Sequence, residues 1–100
     1  MAQTLDDVVR RIKTAELELR RRGVAHLSVF GSVAKGLERQ DSDVDIAVDI
    51  EPGRSFSVIR MEDTRLMLED VLGRPVDLGE TSTLRPHIRE SFEQDRVQVF

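Results

Sequence analysis

Gly31-Ser32, ten intervening residues and then Asp43-Val44-Asp45 form the stretch of this sequence best equipped for chemistry. Gly31 lets the backbone turn sharply out of a preceding strand and lets a ligand approach with no Cβ in the way. Ser32 offers a hydroxyl and an N–H at the opening of a helical turn, where unpaired amides favour a phosphate. Asp43 and Asp45, two residues apart in an alternating segment, project from one strand face with their carboxylates close together. Two neighbouring anions repel, and the arrangement becomes favourable when a hard divalent cation sits between them. Oxygen ligands with no His or Cys beside them select magnesium or manganese over zinc. Asp77 follows the apolar Val76 and has the parity of a third outward carboxylate. If its strand lies beside the first, three carboxylates converge, a set able to hold two metal ions about 3.5–4 Å apart. Gly-Ser and Asp-x-Asp at this spacing arise together by chance at roughly 0.4%, so the joint pattern outweighs a plain turn and a solvated strand face.

The elements that must position these residues follow from periodicity. Thr4 caps a first helix that carries Leu5, Val8, Val9, Ile12, Ala15 and Leu19 on one face and ends in Arg20, Arg21 and Arg22 before Gly23. Residues 24–30, VAHLSVF, read as a strand, followed by the small-residue segment SVAKG and a polar loop through Ser42. Asp43 to Ile50 alternates strictly, with Val44, Ile46, Val48 and Ile50 toward a core and Asp43, Asp45, Ala47 and Asp49 on the other face. The spacing predicts a second helix over about 57–72, with Val58, Met61, Leu68, Val71 and Leu72 on its apolar stripe and Ile59 and Leu66 opposite. A short strand at 74–78, a third helix at 84–93 opened by Pro86, and a closing strand at 96–100 complete the chain. Four strands and about three helices make an α/β or α+β layered architecture, a single domain over residues 1–100.

Composition narrows the function classes. The chain has 100 residues, 15 of them Lys or Arg and 19 Asp or Glu, for a net charge of −4. That balance argues against affinity built on coating a nucleic-acid backbone, while one cation-assisted phosphate site still fits. With no cysteine, disulfides, thiolate zinc sites and cysteine nucleophiles are all excluded. The sequence carries no apolar run of membrane-spanning length and no secretory h-region, so the expectation is a cytoplasmic protein.

GSVAKG, the ten-residue spacing and DSDVDIAV resemble the active-site signature of the DNA polymerase β-type nucleotidyltransferase superfamily. The short chain, PVDL after the second helix and the ending LRPHIRESFEQDRVQVF resemble its minimal nucleotidyltransferase (MNT) branch. The resemblance implies a mixed four-stranded sheet, with Asp43 and Asp45 as metal ligands, Asp77 as third carboxylate and Gly31-Ser32 on a triphosphate. It also implies transfer of AMP from ATP to an acceptor hydroxyl with release of pyrophosphate. Proteins of this branch are often antitoxins encoded beside a HEPN-domain ribonuclease toxin, which they silence by adenylylating a tyrosine. Lys35 stands where Arg is frequent, which keeps the charge without a bidentate grip, and is a candidate phosphate contact. Leu78-Gly79-Glu80 replaces the usual apolar continuation, so the strand bearing Asp77 is expected to end early.

Weaker candidates have plainer readings. His26 is expected on the sheet surface, His87 beside Pro86, and Arg85 and Arg89 on a solvated helix face. A homodimer or a hetero-oligomer with the toxin would use the face of Ile59 and Leu66. The competing functions are a non-catalytic antitoxin acting by occlusion and a small-molecule nucleotidyltransferase whose pocket a second copy would complete.

Overall fold

Alternating side chains build the sheet of the computed structural model, which describes residues 3–36 and 43–100. Its strands are β1 (Val24–Phe30), β2 (Val44–Ile50), β3 (Val76–Glu80) and β4 (Val97–Gln98), in the spatial order β3-β2-β1-β4. β1 runs antiparallel to both β2 and β4, whereas β2 and β3 are parallel, so the sheet is mixed. A parallel pair needs a crossover, and helix α4 (Val58–Leu72) supplies it.

One sheet face carries Leu27, Val29, Val44, Ile46, Val48 and Val76, buried under α1 (Leu5–Thr14), α2 (Glu16–Arg21) and α4. These helices contribute Val8, Ile12, Leu19, Leu68 and Leu72. The other face holds Phe30 and Ala47, partly covered by α5 (Pro86–Asp95) through Phe92, with the single turn α3 (Gly31–Ala34) at its edge. The carboxylate parity of β2 opens onto this second, incompletely covered face.

Several elements differ from their sequence expectation for local reasons. The first helix is two: Ala15 leaves helical geometry and its N–H turns to the carbonyl of Ile12 at 2.9 Å. With α3, this makes five α-helices and a 3-10 turn at Thr81–Thr83 among the described residues, rather than about three. The stripe of α4 begins later than expected: Val58 is 86% exposed, and the buried positions are Thr64, Leu68 and Leu72. Thr64 tolerates burial because its hydroxyl donates to the Arg60 carbonyl at 2.8 Å. Pro86 occupies the first turn of α5 and Arg85 before it is extended, which leaves Leu84 outside the helix. β4 is short because Val99 and Phe100 both donate to the Leu27 carbonyl, which ends the regular ladder. β3 continues to Glu80, since Leu78, Gly79 and Glu80 pair with Ile46, Ala47 and Val48. No helix among the described residues is long and apolar enough to cross a membrane.

Candidate active site

Asp45 and Asp77 are direct partners across the parallel β2–β3 pair. Their Cα atoms therefore stand one inter-strand spacing apart, about 4.8 Å. Two bonds hold that register. The Val44 N–H donates to the Pro75 carbonyl at 2.9 Å, and the Val76 N–H donates to Glu69 Oε2 at 2.9 Å. Glu69 is itself held by Arg65 Nη1 at 2.7 Å, so α4 clamps the start of the strand bearing Asp77. Asp43 lies just before β2, exposed, and Asp77 is exposed as well.

Gly31 follows β1 at φ +73°, a left-handed conformation in which a Cβ is disfavoured. A Cβ there would also stand 2.2 Å from Asp45 Oδ2. The glycine thus makes room for the carboxylate across the sheet, where Phe30 and Asp45 are paired. Asp45 is half-buried, and its pKa is pushed up to about 6, first by burial and then by the charges of Asp77 and Asp43.

Among the described residues, no salt bridge compensates Asp43, Asp45 or Asp77. Nor do any three acidic or His side chains among the described residues come together in a group that could hold a metal ion as they stand, so the expected convergence of three carboxylates is seen only as the Asp45–Asp77 pairing. Adjacency comes from the backbone, and the uncompensated charge raises the cost of ionising Asp45. Oxygen donors short of positive charge are of the kind that hard divalent cations prefer.

Ser32 sits half-buried in α3, next to Gly31. Lys35 is exposed, and its Nζ lies 3.3 Å from Asp95 Oδ2 at the end of α5 rather than free beside the carboxylates. The polar loop expected through Ser42 falls on residues 37–42, outside the described residues. His26 lies exposed on the sheet surface opposite Asp49, and His87 is exposed on α5, as expected. Arg89 departs from its solvated reading: it is half-buried and donates to the Thr81 carbonyl at 2.5 Å.

Sequence reasoning missed the supporting residues. Glu69 and Asp95 are charged residues on helices, and nothing local marks them as partners of β3 and Lys35. Gly79 is the most legible of the missed positions, a glycine inside a strand being a sign of close approach. A Cβ there would lie 2.9 Å from Leu84 Cδ2. Beside Asp77, a cleft of about 160 Å³ opens between Phe30, Gly79, Leu84 and Ile88. A larger concavity of about 420 Å³ lies between α2 and α4, lined by Glu18, Arg22, Ile59 and Asp63, and carries none of the aligned carboxylates. Chemistry, not size, selects the smaller one.

Carboxylates aligned across parallel strands behind a glycine-opened turn suit an enzyme that works on phosphate esters. Residues 9–99 match the nucleotidyltransferase domain family, and the chain belongs to it: this is a nucleotidyltransferase. The protein adenylyltransferase MntA of Thermococcus cleftensis is 36% identical over 96% of both chains. A solved structure described as a minimal nucleotidyltransferase superposes with a TM-score of 0.77 at 33% identity, covering 95% of each chain. The fold also matches that of a complex described as a tri-AMPylated Shewanella oneidensis HEPN toxin with its MNT antitoxin. There the TM-score is 0.69 at 18% identity, over 97% of this chain and 72% of that one.

Proposed function

We propose that this chain is a cytoplasmic protein adenylyltransferase: it transfers AMP from ATP to a tyrosine hydroxyl of a cognate HEPN-domain toxin and so acts as its antitoxin. The observation that carries the reading is the pairing of Asp45 with Asp77 on an open sheet face that Gly31 keeps clear. The adenylyltransferase name of the Thermococcus relative, matched over nearly its whole length, supports a protein acceptor. The AMPylated toxin described in the Shewanella complex supports the partner class.

In this reading, Asp43, Asp45 and Asp77 would hold two Mg2+ ions, with Mn2+ able to take their place. When bound, the metal neutralises triphosphate charge and lowers the pKa of a coordinated hydroxyl. Gly31 and Ser32 bind the phosphates through backbone N–H and hydroxyl, and Lys35 adds charge when it leaves Asp95. The acceptor hydroxyl attacks the α-phosphorus, the bond to the β-phosphate oxygen breaks, and pyrophosphate leaves. Asp77, exposed at the edge of the set, orients the hydroxyl and takes its proton. Most of the acceleration then comes from positioning and charge neutralisation.

The test is the intact mass of the cognate HEPN protein after incubation with this chain, ATP and Mg2+, beside an Asp43→Asn/Asp45→Asn variant. Whole AMP increments that vanish with the variant are expected. A stable complex without any increment would sink the catalytic reading in favour of neutralisation by occlusion. Neither increment nor complex would return a small-molecule acceptor to first place.

A further inference from the structure

Among the described residues, β3 lies at an edge of the sheet, with β2 as its strand neighbour in the order β3-β2-β1-β4. An edge strand leaves a row of its backbone donors and acceptors without a strand partner. Gly79 within β3 and Pro75 just before it are poor strand formers, so intrinsic preference does little to hold its register. That register decides the site. A slip of one residue would turn Asp77 toward the core and Val76 toward the open face.

Glu69 supplies a restraint that β3 itself lacks. Its Oε2 accepts the Val76 N–H at 2.9 Å, immediately before Asp77. The same oxygen accepts from Arg65 Nη1 at 2.7 Å. Arg65 is itself oriented, since its Nε and Nη2 both donate to the Glu62 carboxylate, the Nε bond at 3.0 Å. A planar guanidinium gripped through two of its nitrogens presents the third in a fixed direction. The Glu69 carbonyl accepts the Gly73 N–H at 2.7 Å, where α4 ends. One residue thus closes the helix with its backbone and anchors the strand with its side chain. Glu69 and Arg65 are both half-buried, so salt screens their pair less than an exposed one.

We infer that Glu69, oriented by Arg65, is a positioning residue of the active site: it pins Val76 so that Asp77 stands opposite Asp45 in the geometry that transfer requires. The inference rests on the reading of this chain as an adenylyltransferase in which Asp77 meets the acceptor hydroxyl. Glu69 acts only through β3.

Glu69→Gln and Glu69→Ala test it. Gln keeps an oxygen able to accept from both Val76 and Arg65, whereas Ala removes the acceptor. Rates of AMP transfer to the HEPN protein are compared per folded molecule, with the folded fraction read by circular dichroism. Ala should lower kcat at least tenfold with the KM for ATP and for the acceptor within twofold, and Gln should hold kcat within threefold of wild type. A smaller loss in Ala, an equal loss in both variants or an effect confined to KM would overturn the assignment. The second arm is amide hydrogen exchange of the intact chain without ligand. Val76 and Val44, whose N–H reaches the Pro75 carbonyl, should exchange at least tenfold faster in Ala than in wild type or Gln, with Leu27 of β1 within twofold. No acceleration at Val76 and Val44 would overturn the assignment, as would equal acceleration at Leu27, the mark of a general loss of stability. If wild type transfers no AMP, the catalytic reading fails, and exchange alone then decides whether Glu69 sets the place of Asp77.

Discussion

Gly31 and Asp45 occupy mutually exclusive space: a Cβ on the first would stand 2.2 Å from Oδ2 of the second. The glycine that opens the turn after β1 is therefore also the residue that lets a half-buried carboxylate stand on the same face. Gly31→Ala should cost on the order of 1–2 kcal/mol from its left-handed φ alone. It should lower AMP transfer more than tenfold, because Asp45 must move to admit the methyl group. Urea unfolding and intact-mass rates measure the two effects separately. Full activity in a folded variant would mean that the position of Asp45 does not matter.

Asp45 makes stability fall as pH rises. Its folded pKa of about 6 lies above the ordinary aspartate value of 3.8, so between those pH values the folded state holds a proton that the unfolded chain has lost. Stability is therefore greatest at the acid end of that window, declines through it and levels off above about pH 6. In EDTA at pH 7.5, Asp45→Asn should be the more stable protein. The gain should be on the order of 1 kcal/mol once solvent screening of a half-buried carboxylate is allowed for. At pH 4 the two should converge. Thermal unfolding at several pH values reads this directly, and an Asn variant weaker at pH 7.5 would mean that the carboxylate is structural.

Adding Mg2+ together with a non-hydrolysable ATP analogue should stabilise wild type and reverse that order. A ligand at a hundred times its Kd contributes about 2.7 kcal/mol, several degrees in melting temperature for a chain of this length. Asp43→Asn/Asp45→Asn should show little of the shift, and chelation with EDTA should abolish it in wild type. Differential scanning fluorimetry suffices for this comparison.

Lys35 and Asp95 form an ion pair, which under the proposed function a triphosphate must compete with. The Asp95 carboxylate is only 13% exposed, so Lys35 is held more firmly than a typical surface lysine. Lys35→Ala should raise the KM for ATP about three- to tenfold with a smaller effect on kcat, the pattern of lost ground-state binding. Asp95→Asn frees the ammonium and should lower that KM or leave it unchanged. Equal increases from both substitutions would show that the ion pair positions α3 instead of restraining Lys35.

The legibility of this protein varied by element for physical reasons. Strand β2 was readable almost to the residue because a two-residue period is a local signal; burial along it departs from that period at Ala47, which is buried with Phe30 and Phe92, and at Ile50, which is only half-buried. The first helix was misread as continuous because Ala15 is a good helix former, and only its turned N–H reveals the break. The strand of Asp77 runs two residues past its expected end because pairing with Ala47 and Val48 outweighs the weak strand preference of Gly79-Glu80. Lys35 could be recognised as a cation near the Gly31-Ser32 turn, but Asp95, sixty residues away, could not be recognised as its partner.

By itself, the sequence determined side-chain parity: Asp43, Asp45 and Asp77 had to face away from the apolar core, since alternation decides which side of a pleat a residue takes. It also determined that a glycine, not a bulkier residue, ends the first strand. Only the tertiary structure decided that Asp45 and Asp77 are neighbours, since that depends on a parallel crossover through α4 and on Glu69 and Pro75 fixing the register. It alone also brought Leu84 over Gly79 at the edge of the cleft beside Asp77. Facing is a property of a few consecutive residues, whereas adjacency is a property of the whole packed chain.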